Sequence, residues 1–351
     1  MIKDIQIGDR VIGEKHPPFI IAEMSGNHNQ SLERALEIVD AAADSGAHAI
    51  KLQTYTADTM TIKASHGLFQ IDDTDSLWEG NNLYDLYKIA YTPWDWHEKI
   101  FERAKSKGLI TFSTPFDVSA VDFLEELGVS VYKIASFENT DWPLLKRIAK
   151  TGKPVIMSTG LTNLSDIDES VRLLREHGCD QLIILKCTST YPASPENTNI
   201  LSIPHMRDMF DCHIGLSDHT MGIGAAIASI ALGARVVEKH FTLRRADGGV
   251  DSEFSIEPEE LKSLVIESDR AYKALGKVKY GIQESEKNSL RFKRSIYVVT
   301  DVKAGEILNE NNVRVIRPGD GLHSKYYDIV LGKKALRDIN AGEPLSFDML
   351  G

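Results

Sequence analysis

Three lysines, a set of hydroxyl side chains and two histidines stand where short apolar stretches of this sequence turn polar. Lys51 lies in 49-AIKLQTY-55, Lys133 in 131-VYKIAS-136 and Lys186 in 182-LIILKCTST-190. Ser136, Ser158, Thr159 and Ser217 occupy equivalent places. Fixed cations beside neutral donors suit a small polyanion, such as a phosphate ester that also bears a carboxylate. A Schiff-base lysine is the other reading, but it needs one amine desolvated among apolar neighbours. His219 and His240, with Glu238 and Asp218 close in sequence, offer a mixed N/O donor set suited to Mn²⁺, Mg²⁺ or Co²⁺ with open water positions. His28, alone, reads as an ordinary hydrogen-bonding residue.

These residues need elements that bring them together. Eight β-branched runs alternate with amphipathic helical stretches: 19-FIIAEMS-25, 49-AIKLQTY-55, 110-ITFSTPF-116, 131-VYKIAS-136, 154-PVIMSTG-160, 182-LIILKCTST-190, 213-HIGLSDHT-220 and 234-ARVVEKHFT-242. Segments such as SLERALEIVDAAADSG and LSDIDESVRLLREHG end on a glycine, as a helix C-cap does. Near-continuous apolar strands alternating with helices imply a parallel α/β sheet. Eight such units over about 250 residues favour a closed TIM (β/α)8 barrel. An open doubly wound sheet is the alternative, but the first strand leads into SGNHNQS and not a GxGxxG turn. Any single polar strand end is an ordinary solvated one; eight converging ends are a site, and barrel enzymes build theirs at this face.

The gross composition agrees with small-molecule chemistry. The chain has 351 residues, 42% of them apolar, enough for one large domain and one small one. A net charge of −11 without a clustered basic run argues against nucleic acid and anionic membranes as partners. Cys179, Cys187 and Cys212 lack CxxC spacing and read as reduced thiols. The start, MIKDIQIGDR, has no signal-peptide core, and no apolar run reaches the ~20 residues of a membrane helix, so a cytoplasmic protein is expected.

Taken together, the motifs E-x-x-x-N-H-N, K-L-Q, S-T-P-F-D, Y-K-I-A-S, S-T-G, C-T-x-x-Y-P, G-L-S-D-H-T and E-K-H-F-T resemble the N-acylneuraminate (sialic acid) synthase family over essentially the whole chain. The resemblance implies a metal-assisted condensation of phosphoenolpyruvate with an open-chain N-acetylated sugar, with phosphate lost by C–O cleavage. It assigns His219 and His240 to the metal. It assigns Lys51, Thr114, Lys133, Ser136, Ser158, Ser189 and Ser217 to phosphoenolpyruvate. Glu23 matches the carboxylate that handles the water proton, with Glu238 as a second catalytic carboxylate. Gln53, Phe137, Glu138, Tyr191 and Asp251 fall at the acceptor sugar.

After Gly281 the pattern changes to short strands and turns, with an internal echo, 301-DVKAGEIL-308 and 338-DINAGEPL-345. This tail resembles the small, mostly-β SAF (antifreeze-like, β-clip) domain of that family. The expected division is a barrel over 1–281 and a SAF domain over 282–351. The resemblance implies a homodimer in which this domain caps the partner's barrel, with Arg317 reaching the partner's sugar.

Three local features, the 22-AEMSGNHNQ-30 loop, Ser189 in 186-KCTSTYP-192 and Phe137 in 135-ASFEN-139, resemble the branch of the family that makes pseudaminic acid. Its acceptor is an N-acetylated 6-deoxy amino sugar, 2,4-diacetamido-2,4,6-trideoxy-altrose, and its product decorates surface glycans such as flagellin. Phe137 is then expected to cover the 6-methyl group, or to pack beneath Trp142. Legionaminic or N-acetylneuraminic acid synthesis is the nearest alternative. A metal-dependent aldolase and a non-enzymatic carbohydrate-binding barrel are more distant ones.

Overall fold

The computed structural model describes residues 2–72 and 77–351. The chain divides into two compact units, Met1–Gly276 and Lys277–Gly351.

The first unit opens with a hairpin of β1 (Ile5–Ile7) and β2 (Arg10–Ile12), which the sequence reading did not foresee. Its buried Ile5, Ile7 and Ile12 belong to the main core. Gly8, at φ +57°, makes the turn with the Ile110 side chain directly against it. The His213 ring bonds the Lys3 carbonyl at 3.0 Å. Ile110 and His213 both begin barrel strands, so the hairpin plugs the N-terminal end of the barrel.

Eight strands follow: β3 (Phe19–Glu23), β4 (Ala49–Thr54), β5 (Ile110–Pro115), β6 (Tyr132–Ile134), β7 (Val155–Ser158), β8 (Leu182–Cys187), β9 (His213–Ser217) and β10 (Val236–His240). They pair in parallel and close as β10-β3-β4-β5-β6-β7-β8-β9, which excludes the open sheet. Every residue of β3 and of β9 is buried, as expected for strands covered on both faces. The helices around them are amphipathic at helical spacing. In Leu32–Asp44, Ala35, Ile38, Val39 and Ala42 are buried, and the Ser31 side chain caps the first turn by accepting from the Arg34 N–H.

All eight expected strands overrun the observed ones at the C-terminal end. The first stops at Glu23, and Ser25–His28 turns into a 3₁₀ segment. The polar residues there leave the ladder to bond with one another, and this is the face where the site forms.

Between β4 and the helix His97–Ser106 the chain makes a long excursion. It carries the short helices Ala57–Met60 and Leu83–Ala90, the latter capped by Asn82, whose side chain accepts from the Asp85 N–H.

The second unit contains β11 (Ser295–Val298), β12 (Val313–Ile316) and β13 (Leu322–His323) in the antiparallel order β12-β11-β13. Ile296, Val298, Leu308, Val313, Ile339 and Leu345 form its own core. The sequence echo becomes a two-fold pairing. Val302 and Ile339 exchange backbone hydrogen bonds of 2.9 Å. Asp338 Oδ1 accepts from the Ala304 N–H at 2.9 Å, and Asp301 Oδ1 accepts from the Ala341 N–H at 2.8 Å.

Candidate active site

The parallel register sets the charged centre. Glu23 stands opposite Lys51 and His240, and Ser217 opposite Glu238. Lys51 Nζ lies 2.5 Å from Glu23 Oε2 and 3.8 Å from Glu238 Oε2; Lys133 Nζ lies 3.8 Å from Glu238 Oε1. Neutral groups fill the gaps. Lys51 donates to Thr114 Oγ1 at 3.0 Å, Lys133 to Ser158 Oγ at 2.7 Å, Ser217 to Glu238 Oε1 at 3.2 Å and Gln53 to Glu23 Oε1 at 3.1 Å.

The two carboxylates behave differently. Burial, then the like charge of Glu238, push the Glu23 carboxyl up to about 7 against the pull of Lys51. Burial also opposes ionisation of Glu238, but Lys133 and Lys51 outweigh it and hold that group below the usual range. Lys51 is raised although Glu23 is not held ionised. The asymmetry is physical: the ammonium faces two carboxylates, whereas Glu23 faces one ammonium and one like charge. In the protonated form of Glu23 two ammonium groups oppose one carboxylate, which suits an anion; at about 7 the ionised form, a proton acceptor, is populated as well.

The imidazoles of His219 and His240 meet with ring centroids 5.4 Å apart. The rings of Tyr191 and Phe254 pack on both. His219 Nδ1 lies 2.9 Å from the Thr188 carbonyl and 3.9 Å from Cys187 Sγ. The shorter bond takes the Nδ1 proton and leaves Nε2 its lone pair. Burial raises the Cys187 thiol, but contacts with His219 and nearby hydroxyls outweigh it and bring the thiol down to about 6. Burial, with the positive charge of the nearby lysines, holds His240 neutral, and its Nδ1 is buried without a hydrogen-bond partner. A neutral, orphaned imidazole nitrogen beside a second oriented imidazole fits a divalent cation. Among the described residues no group of three or more His, Cys, Asp and Glu side chains is arranged to hold a metal. The two imidazoles are the residues that would hold such an ion.

Ser136 and Ser189 converge on Gly160. The Gly160 N–H donates to Ser136 Oγ at 3.1 Å. A Cβ on Gly160 would stand 2.0 Å from Ser189 Oγ and 2.7 Å from Ser136 Oγ. Asn139, which the sequence reading missed, steadies this turn by donating to the carbonyls of Ser158 and Gly160.

Beside the charged centre is a cavity of about 320 Å³. Gln53, Phe137, Glu138, Tyr191, His240 and Asp251 line it. Most of its aliphatic wall comes from the excursion after β4, through Met60, Ile71, Leu83, Leu86 and Ala90. The sequence reading gave that segment no role; the Asn82 cap followed by LYDLYKIA is the signal that marks its helix. Asp251 accepts from the Ser25 hydroxyl. Glu138 Oε2 is buried without a hydrogen-bond partner, and burial pushes this carboxyl up to about 7. Phe137 is 59% exposed and faces the cavity, whereas the Trp142 ring carries Lys146 Nζ at 5.6 Å.

Three expected members are elsewhere. Lys186 alternates outward from Cys187, donates to the Cys187 carbonyl and Thr188 Oγ1, and lines a separate cavity with Leu164, Ile167 and Met206. Asp218 turns away from the histidines and pairs with Lys239. Arg317 lies exposed just after β12, in the second unit.

Comparison with known proteins places the chain in a family. The model of the NeuB family matches residues 38–280, and that of the SAF domain matches residues 293–351. The chain belongs to the NeuB family. It is 43% identical to a pseudaminic acid synthase of Campylobacter jejuni, over 93% of this chain and 95% of that one. It is 41% identical to a pseudaminic acid synthase of Helicobacter pylori, over 95% and 97%. Among solved structures, the N-acetylneuraminic acid synthetase of Leptospira borgpetersenii, in complex with citrate, is 34% identical, with a TM-score of 0.73 over 82% of this chain and 95% of that one. This NeuB-family chain is thus a barrel enzyme of the sugar-acid synthase type, and among its described residues no helix is long and apolar enough to cross a membrane.

Proposed function

We propose that the chain is a pseudaminic acid synthase. It condenses phosphoenolpyruvate with 2,4-diacetamido-2,4,6-trideoxy-β-L-altrose and water, giving pseudaminic acid and phosphate. The observation that carries this reading is the pairing of a buried two-lysine anion site with a predominantly apolar acceptor cavity, joined at His240.

Lys51 and Lys133, with Thr114, Ser136, Ser158, Ser189 and Ser217, hold the phosphate and carboxylate of phosphoenolpyruvate; Glu238 stays ionised between the lysines and keeps them aimed. Gln53, Glu138, Tyr191 and Asp251 orient the open-chain sugar, and Phe137 with the aliphatic wall takes its methyl groups. C3 of phosphoenolpyruvate bonds to the aldehyde carbon, leaving a cation at C2. Water adds to C2, and Glu23, poised at about 7, takes its proton. The C2–O bond to phosphate then breaks with the C2 hydroxyl proton leaving on the phosphate, and the proton held by Glu23 passes to the sugar alkoxide, leaving the 2-keto acid. Holding both substrates at one mouth supplies the orientation term. A divalent cation, Mn²⁺, Mg²⁺ or Co²⁺, when bound at His219 and His240, supplies polarisation of the aldehyde oxygen.

The working unit is a homodimer in the cytoplasm, where Arg317 of each chain completes the other chain's sugar site, and the product feeds surface glycans such as those on flagellin. Mixing Arg317→Ala with His240→Ala chains then restores activity that neither has alone; no restoration after reassembly removes the shared site. Mass spectrometry of the product tests the reaction itself. A product lacking the added three-carbon acid defeats it, and turnover only with the legionaminic or N-acetylneuraminic acceptor moves the chain to the alternative specificity.

A further inference from the structure

Side chains at the ends of β9 and β10 alternate across the barrel wall. Ser217 and His219 flank Asp218, and Glu238 and His240 flank Lys239. The flanking residues belong to the mouth, so Asp218 and Lys239 point the other way. There they meet: Lys239 Nζ lies 2.9 Å from Asp218 Oδ2, with side chains 1% and 0% exposed.

The pair is fully knitted into the backbone. Lys239 also donates to the Thr220 carbonyl at 2.6 Å. Asp218 Oδ1 accepts from the Thr220 N–H at 2.9 Å and from its hydroxyl at 2.8 Å. The chain from 218 to 220 therefore wraps the ammonium of the neighbouring strand, with His219 at the middle of the wrap. Asp218 N–H donates to the Glu238 carbonyl at 2.9 Å, which extends the ladder one residue past β9.

Neither group faces substrate, and an apolar pair would fill the same space without the cost of desolvating two charges. What the ion pair adds is a fixed relation between two strand ends, each carrying one of the imidazoles. We infer that the Asp218–Lys239 ion pair is a clasp that sets the spacing of His219 and His240, and so governs divalent-metal affinity from behind the barrel wall. This rests on the metal reading proposed above. Both are positioning residues.

The test uses the purified full-length chain and Mn²⁺ alone, followed through the electron paramagnetic resonance signal of the free ion. Asp218→Asn and Lys239→Met remove one charge each at similar volume; Thr220→Val removes one donor to Asp218 and leaves the pair. The charge variants bind Mn²⁺ roughly 10–100-fold more weakly, as losses of ligand-orienting groups do, and Thr220→Val shows a smaller loss in the same direction. At saturating Mn²⁺ their kcat recovers and KM for phosphoenolpyruvate stays within about twofold of the parent, because Lys51 and Lys133 stand on β4 and β6, away from the pair. Folded charge variants that bind Mn²⁺ like the parent overturn the clasp, as does a KM for phosphoenolpyruvate that rises in step with the Mn²⁺ Kd. If the charge variants do not fold, unchanged Mn²⁺ binding by Thr220→Val overturns it. A parent chain that binds no Mn²⁺ instead sinks the metal reading, and the clasp with it.

Discussion

Glu23 Oε2 and Lys51 Nζ lie 2.5 Å apart, with side chains only 1% and 4% exposed. A carboxyl so placed keeps a proton acceptor inside a water-poor mouth at neutral pH. Glu23→Gln preserves the shape and the contact with Gln53 but cannot take a proton. We expect kcat to fall by about 10²–10⁴, with KM for phosphoenolpyruvate little changed, measured by phosphate release. A variant that keeps most of its kcat would remove Glu23 from the water step.

Glu138 makes stability depend on pH. Burial raises its folded-state value from 4.5 to about 7, with Asp141 adding to the rise and Lys133 opposing it. Between those values the folded chain holds a proton that the unfolded chain has released, so stability falls as pH rises. The contribution is complete below 4.5 and is lost on passing 7. Glu138→Gln should therefore gain on the parent by up to about 3 kcal/mol between pH 5 and pH 8. Thermal melts of both chains without substrates check this; parallel pH profiles contradict it.

Chelation should silence the enzyme without unfolding it. Treatment with EDTA abolishes phosphate release and Mn²⁺ restores it, while the far-ultraviolet circular dichroism spectrum is unchanged. His240→Ala loses both activity and restoration. Full activity in EDTA excludes the metal role.

At Gly160 the missing side chain is the functional feature. Gly160→Ala puts a methyl group against Ser136 and Ser189, and both hydroxyls must move. KM for phosphoenolpyruvate should rise by roughly tenfold, about 1.4 kcal/mol, with a smaller change for the sugar. An unchanged KM shows that these hydroxyls do not touch the anion.

The barrel and its charged mouth were legible because both follow local rules. Runs such as FIIAE and LIILKC have a single burial pattern, and polar strand ends mark a single face. Side-chain direction was less legible. Lys186 and Asp218 are one residue out of phase with the mouth, and only the observed strand ends show it. The β1–β2 hairpin is three residues per strand, too short for a periodic signal. The acceptor wall was missed because Met60, Ile71, Leu83 and Leu86 become neighbours only when the excursion after β4 folds over the mouth.

That excursion has a consequence for how selectivity is inherited. On the proposed reading the groups that act on the substrates lie at eight strand ends, whereas much of the aliphatic wall of the cavity comes from residues between β4 and the helix at His97. On that reading these residues form an exchangeable cassette. Exchanging it between sugar-acid synthases would redirect which aldehyde is welcomed while the condensation machinery stays untouched.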